Sequence, residues 1–283
     1  MDEVLGSDGT WTFDLTAVRL IPGHGRSAHK LRQAIGEVTV PLEAVAGMSF
    51  EPGRKGGGRL RLRLREGADP LIQATGGKLN DNVDPYTLAV DAGQAATGQY
   101  FAEAVRTALL VQQIPATPAD RYLLPAPPVP TTATAGDGTA HFDGENVRIE
   151  WNWMAKESKT AAGPMQIALG DIAAVEWQPQ TGFSYGYLRF RPKNPGNTPA
   201  PEHDRHCLCW GIQREGGTTA LFASAVVARM PHPFAAPVSA PPQQEAGDPD
   251  AMLRRLRELG ELHRSGVLTD AEFTAAKQAL LRL

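Results

Sequence analysis

Apolar and polar residues alternate with a period of two along much of this chain. In "GRLRLRLRE", Gly58 to Glu66, Leu60, Leu62 and Leu64 fall on one side and Arg59, Arg61, Arg63 and Arg65 on the other. This is the pattern of a strand with one buried and one wet face. "GYLRFR", Gly186 to Arg191, repeats it, with Leu188 and Phe190 inward and Arg189 and Arg191 outward. "VRIEWNW" places Val147, Ile149, Trp151 and Trp153 on one face. Turns rich in glycine and proline, "EPGRKGGGR" and "QPQTGFSYG", separate such stretches as hairpin loops do. Two later stretches switch to helical spacing. Phe101, Val105 and Leu109 stand four apart, and Phe222, Val226 and Met230 do the same. Each reads as a helix laying a narrow apolar stripe on a sheet.

These elements recur in the same order. "GTWTFD" (Gly9 to Asp14) matches "GTAHFD" (Gly138 to Asp143), and "VPLEAVAGMSFEP" (Val40 to Pro52) matches "IALGDIAAVEWQP" (Ile167 to Pro179). "GRLRLR" then matches "GYLRFR", and Phe101, Ala104 and Val105 match Phe222, Ala225 and Val226. Self-similarity of this kind marks repeated structural units. Two copies of one domain are predicted, residues 1–113 and 136–231. The fold class is mainly β with α. A run of strands followed by one helix, about 100 residues in all, fits a small β-barrel of the pleckstrin-homology (PH) type closed by its C-terminal helix.

A Pro-rich connector, 114–135, joins the copies. Proline stiffens it, yet "RYLL" (Arg121 to Leu124) carries enough apolar surface to dock on a domain. Residues 232–249 form a second Pro-rich stretch that reads as a flexible linker. Structure then resumes as a helical hairpin over 250–283. Met252, Leu253, Leu256, Leu259 and Leu262 follow helical spacing. Gly266 stands where a left-handed cap is wanted. Thr269 and Glu272 form a capping box, and Leu268 with Phe273 a hydrophobic staple. Phe273, Ala276, Leu280 and Leu283 continue the apolar face. So short a hairpin cannot bury enough surface to stand alone. Its leucines, with Phe273, are the expected oligomerisation or docking residues, with self-association favoured over docking within the chain.

"LRELGELHRSGVLTDAEFTAAKQALL" resembles the SHOCT module, a short C-terminal domain of many bacterial proteins. The resemblance rests on Leu256, Leu259, Leu262, Gly266, Leu268, Thr269, Glu272, Phe273, Lys277, Leu280 and Leu281. It implies an oligomerisation or partner-docking element. The body, Gly9 to about His232, is similar to a bacterial family, domain-of-unknown-function 4429, through "GTWTFD", "HKLRQAIGE", "ATGG", "DRYLLP" and "VRIEWNWM". That resemblance implies two PH-like units before a SHOCT tail. It brings no catalytic residues.

Charge adds one candidate site. Residues 18–65 hold ten Lys and Arg against Glu37, Glu43 and Glu51, although the whole chain carries a net charge of −3. Arg26, Lys30, Arg32, Arg54, Lys55, Arg59, Arg61 and Arg63 could gather at one end of the first copy. Guanidinium groups and glycine amides there would bind phosphate, an anionic lipid or an acidic peptide. The competing reading is a strand face kept soluble by arginine, and it carries more weight. Sequence-specific nucleic-acid reading is not expected at this net charge. "EHDRHCLCW" gathers His203, His206, Cys207 and Cys209, all zinc-competent. Their spacing is wrong for a structural zinc site, and buried strand cysteines are expected instead. No metal or cofactor is predicted. His24 and His29 read as exposed loop residues, and the five tryptophans as core.

Enzyme motifs are missing: "GRKGGGR" lacks the Gly-Lys-Ser/Thr ending of a phosphate loop, and no nucleophile elbow occurs. A non-enzymatic adaptor or scaffold is expected, with a homo-oligomer or a protein partner assembled through the hairpin. The longest apolar run, "ALFASAVVA", falls far short of the ~18–20 residues of a membrane helix. The acidic start "MDEVLGSDG" does not read as a secretory signal, and two cysteines imply no disulfide framework. A cytoplasmic location is expected.

Overall fold

The computed structural model describes residues 2–53, 56–194, 196, 198–211, 217–235, 249–265 and 269–281. The chain divides into two compact units, Met1–Ala235 and Ala236–Leu283. It is an α+β protein dominated by antiparallel sheets.

Copy 1 begins with a four-stranded sheet, β1 (Asp2–Gly6), β2 (Gly9–Phe13), β3 (Ala17–Pro22) and β4 (Val38–Pro41), with α1 (Lys30–Ile35) inserted before β4. A three-stranded sheet follows, β5 (Val45–Pro52), β6 (Gly58–Leu64) and β7 (Thr87–Val90), with α2 (Pro70–Thr75) between its last two strands. Helix α3 (Ala95–Val111) ends the copy. Copy 2 has the same plan. Strands β8 (Thr131–Thr134), β9 (Gly138–Phe142), β10 (Asn146–Trp151) and β11 (Met165–Ala168) form four strands, with α4 (Glu157–Thr160) inserted. Strands β12 (Ile172–Gln178), β13 (Gly186–Pro192) and β14 (Cys207–Trp210) form three, and α5 (Thr219–Val227) ends the copy.

The period-two pattern has its physical cause in the cores. Leu60 and Leu62 on β6 are buried with Phe101 and Val105 of α3. Leu188 and Phe190 on β13 are buried with Phe222 and Val226 of α5. The aromatic contact repeats too. Phe13 meets Phe101 at 6.3 Å between ring centroids, and Phe142 meets Phe222 at 6.3 Å. The first pair meets edge-on and the second tilted, and ring pairs at this spacing add to the gain from burial alone.

Neither copy closes into a barrel. β4 runs into a 3-10 turn, Leu42–Ala44, and β5 begins a separate sheet. At the other edge β1 and β7 meet through Ser7 N–H donating to Ala89 O at 2.9 Å. The Ala89 N–H donates not to a neighbouring strand but to Asp8 Oδ1, at 2.9 Å. A side chain thus occupies the place of the next ladder bond, and the strand pairing stops there.

The copies are not independent. The core of copy 2 includes Leu31 of α1 and Leu71 and Ala74 of α2. Helix α2 is short, but its ends are firmly set. Asp69 caps it by accepting Leu71 N–H and Ile72 N–H, Pro70 stands in the first turn, and Gly76 ends it in the left-handed conformation. The connector is docked as well. Leu124 is buried, and the Leu123 and Leu124 N–H groups donate to Ala68 O at 2.8 and 3.1 Å.

In the second unit α6 (Pro249–Arg264) packs with α7 (Asp270–Leu281). The capping box is formed: Thr269 N–H donates to Glu272 Oε2 at 3.0 Å, and Glu272 N–H to Thr269 Oγ1 at 3.4 Å. His263 stacks on Phe273 at 4.6 Å, and its Nε2 lies 2.6 Å from Asp270 Oδ1. Gly266, Leu268 and Leu283 lie outside the described residues. Among the described residues no helix is long and apolar enough to cross a membrane.

Candidate functional site

The basic residues of copy 1 are largely engaged by the fold. Arg32 is buried and its Nη1 lies 2.5 Å from Asp8 Oδ2. Arg59 and Arg61 both pair with Asp81, the latter at 2.9 Å, and Arg61 also reaches Glu51 at 3.4 Å. Arg19 pairs with Glu37 at 3.3 Å. Arg63 is exposed and lies across Gly47, while Arg26 and Lys30 are exposed at and before the start of α1. Arg54 and Lys55 lie outside the described residues. The hollow beside the Gly-rich turn is lined by Glu51 and Asp91 as well as Arg59. Among the described residues, such a lining offers an anion no clear excess of positive charge.

Two arginines expected on wet faces are buried. Arg65 lies past the end of β6 and donates to Thr117 O, Glu43 O and Pro118 O, at 2.8, 2.9 and 3.3 Å. It anchors the connector. Arg189 is buried beside Asp204, 2.9 Å from its carboxylate. His29 is half-buried rather than an exposed loop residue, because its ring caps α1 by accepting Leu31 N–H at 3.1 Å. The expected metal candidates do not converge. Cys207 and Cys209 are buried on β14, His203 bonds Ser158, and His206 lies by Asp204. Among the described residues no group of three such ligands could hold a metal ion. Burial pushes the Cys207 thiol well up, so it is an inert thiol rather than a thiolate.

The feature that stands out lies in copy 2. Strand β10 ends at Trp151, and Asn152 turns the chain. Its N–H donates to Asp137 O at 3.0 Å, its carboxamide donates to Gly136 O at 3.0 Å, and its Oδ1 accepts Met154 N–H at 2.8 Å. The alternation stops there, so Trp153 is 88% exposed instead of joining the core. Facing it, the β12–β13 turn is pinched by Ser184 N–H donating to Thr181 O at 2.9 Å, with Gly182 left-handed. Phe183 at its tip is fully exposed, and Tyr185 is half exposed. Between the loops lies a pocket of about 400 Å3, with Met154, Lys156, Phe183 and Tyr185 at its rim and Asp137, Cys209 and Trp210 deeper. Gly186 makes room for the floor: a Cβ there would lie 2.1 Å from Trp210 Nε1. Phe183 and Tyr185 are thus exposed aromatics set beside one concavity.

Behind the floor sits a buried ion pair. Lys159 is 0% exposed, and its Nζ donates to Asp137 Oδ2 at 2.6 Å and Cys207 O at 2.7 Å. It also lies 4.9 Å from the Trp151 ring centroid. Asp137 Oδ1 accepts Cys209 N–H at 2.8 Å. This arrangement repeats copy 1 atom for atom in role, with Asp8 for Asp137, Arg32 for Lys159 and Ala89 for Cys209. The sequence signal is "DGT", at Asp8 to Thr10 and again at Asp137 to Thr139. The matched stretches "GTWTFD" and "GTAHFD" begin one residue after each aspartate.

In the tail, Leu256, Leu259 and Phe273 are half-buried and Leu262 is 44% exposed. Leu253 lies within α6 and Leu280 within α7. No curated protein matches the chain. Residues 254–281 match the Short C-terminal domain (SHOCT). Residues 11–106 and again 140–227 match the Domain of unknown function (DUF4429), one match over each copy, and the chain belongs to that family.

Proposed function

We propose that this chain is a non-enzymatic cytoplasmic adaptor with two PH-like bodies. Copy 2 presents the docking face, and the helical tail gathers several chains. The observation that carries the reading is the aromatic end of copy 2. Met154, Phe183 and Tyr185 stand exposed on two short, hydrogen-bonded loops around one pocket, and Trp153, next to Met154 in the chain, is exposed as well. Aromatic side chains held out on tied turns lose little freedom when a partner covers them. The tail supports the second half of the reading. Among the described side chains Leu262 remains exposed, and Leu256 and Leu259 only half-buried, on a two-helix unit too small to bury them itself. Several weak faces on one assembly bind with avidity that one face lacks. The non-enzymatic reading is supported by Arg32 with Asp8 and Lys159 with Asp137, buried charges consumed in pairs that close the fold. Anionic-lipid binding by the basic end of copy 1 is the weaker alternative, because Arg32, Arg59 and Arg61 already have carboxylate partners.

Two measurements test the halves separately. Light scattering should give a defined oligomer for the full chain and a monomer for a chain ending at Glu245; a monomer in both removes the assembly role. A photo-crosslinking residue at position 183 should trap a discrete protein adduct, whereas one at position 110, also largely exposed but on α3, should not. Equal trapping at both positions removes the docking face.

A further inference from the structure

Where the copies meet, α1 and β4, the connector and α5 enclose a crevice of about 740 Å3. Small-molecule sites span roughly 300–1,000 Å3. Its walls are mainly apolar, among them Ile35, Val38, Leu71, Leu124 and Leu221. Two buried polar side chains open onto it. Asp69 is 4% exposed; Oδ1 accepts Leu71 N–H, and Oδ2 accepts Ile72 N–H and the Tyr86 hydroxyl, at 3.0, 3.1 and 2.8 Å. Oδ1 keeps a free lone pair by this accounting. Ser224 is 1% exposed, and its Oγ has no hydrogen-bond partner among the described residues. A buried hydroxyl left without a partner inside a ligand-sized space calls for one.

The charge balance of the lining narrows the ligand. Among the described residues, Asp69 and Glu37 are the charged groups along it, and no lysine, arginine or histidine lines it. Glu37 is already paired with Arg19. The groups acting on Asp69 are neutral donors, and burial raises its carboxyl above the ordinary range. A buried carboxylate without a cation is costly, and a cation brought by a ligand removes that cost.

We propose that this crevice binds a small apolar molecule bearing an ammonium group. The apolar body lies against Leu71, Leu124 and Leu221, the ammonium donates to Asp69, and Ser224 Oγ accepts a second N–H.

The test is a calorimetric titration of the full chain at neutral pH with hexylammonium chloride, using 1-hexanol and sodium hexanoate as controls of equal chain length. Saturable one-to-one binding of hexylammonium is expected, with 1-hexanol at least roughly tenfold weaker, as for loss of a charged hydrogen bond, and hexanoate silent. Leu221→Trp fills the crevice and should abolish binding. Ser224→Ala should weaken it by about fivefold. Asp69→Asn should erase the preference over 1-hexanol, but Asp69 also caps α2, so that variant counts only if its melting profile is intact. The proposal is overturned if no probe binds, if 1-hexanol binds as tightly as hexylammonium, or if binding survives Leu221→Trp unchanged.

Discussion

The two copies share a scaffold, and one of the places where they differ is the first turn of the three-stranded sheet. In copy 1 the β5–β6 connection reads "PGRKGGG", and its neighbouring arginines are tied to Asp81 and Glu51. In copy 2 the β12–β13 connection reads "PQTGFSYG" and holds Phe183 fully in solvent. Beneath both turns the same carboxylate, Asp8 or Asp137, takes a strand N–H and a helix-borne cation. The parts that close the sheet stack are repeated and the tip is not. Repetition within one chain therefore separates what the fold requires from what it leaves free to vary.

The largest expected effect falls on the repeated ion pair. Lys159→Met leaves Asp137 buried without its cation and should cost about 3–5 kcal/mol in urea unfolding. Arg32→Met should cost less, because Asp8 is 16% exposed against 11% for Asp137, and Arg32 3% against 0% for Lys159. Equal losses would break the view that depth of burial distinguishes the pairs. Next comes the loan of side chains from copy 1 to copy 2. Leu71→Ala should destabilise the Met1–Ala235 unit by about 3 kcal/mol, seen through the fluorescence of Trp177 and Trp210. A loss within about 0.5 kcal/mol, as for an ordinary surface site, would mean that copy 2 completes its own core. The smallest effect concerns the β2–β3 turn and its counterpart. The Thr16 hydroxyl, then the N–H groups of Thr16 and Ala17, hold the Asp14 carboxyl at about 2, below the ordinary 3.8. Asp143 is lowered likewise, chiefly by Asn146 N–H and then Glu145 N–H. A depressed carboxyl stabilises the folded chain fully above its unfolded value and loses that contribution as pH falls through the folded one. Asp14→Ala should therefore lower the melting temperature slightly above pH 4, and the difference should shrink as pH falls toward 2. A gap between variant and parent that persists undiminished to pH 2 would assign the effect to the turn backbone rather than to the charge.

Much of this architecture was legible in the residues. The alternation at Leu60 and Leu62, the matched "GTWTFD" and "GTAHFD", and the Thr269–Glu272 box all rest on local rules, and the structure contains each of them. Depth was not legible. Alternation assigns a side to Arg189 but not the presence of Asp204 above it. Trp153 follows the face pattern of β10 by parity, yet the strand ends two residues earlier. The buried pairs join residues 24 and 22 positions apart, through helices too short to show a period. Helix α2 has its cap, its proline and its terminal glycine in the sequence, but six residues give no stripe to find. The closing of barrels failed for a related reason: strand count does not reveal that Asp8 and Asp137 intercept the edge.

The six residues of α2 also bear on how the chain is made. On a ribosome they emerge long before the helix they cover. Roughly 140 residues separate Thr75 from α5, about 7 to 30 s of synthesis at common elongation rates. Through that interval copy 1 carries Leu71 and Ala74 toward a partner that does not yet exist. The second copy inherits a template already folded, and the nascent first copy is the form that most needs shielding from aggregation.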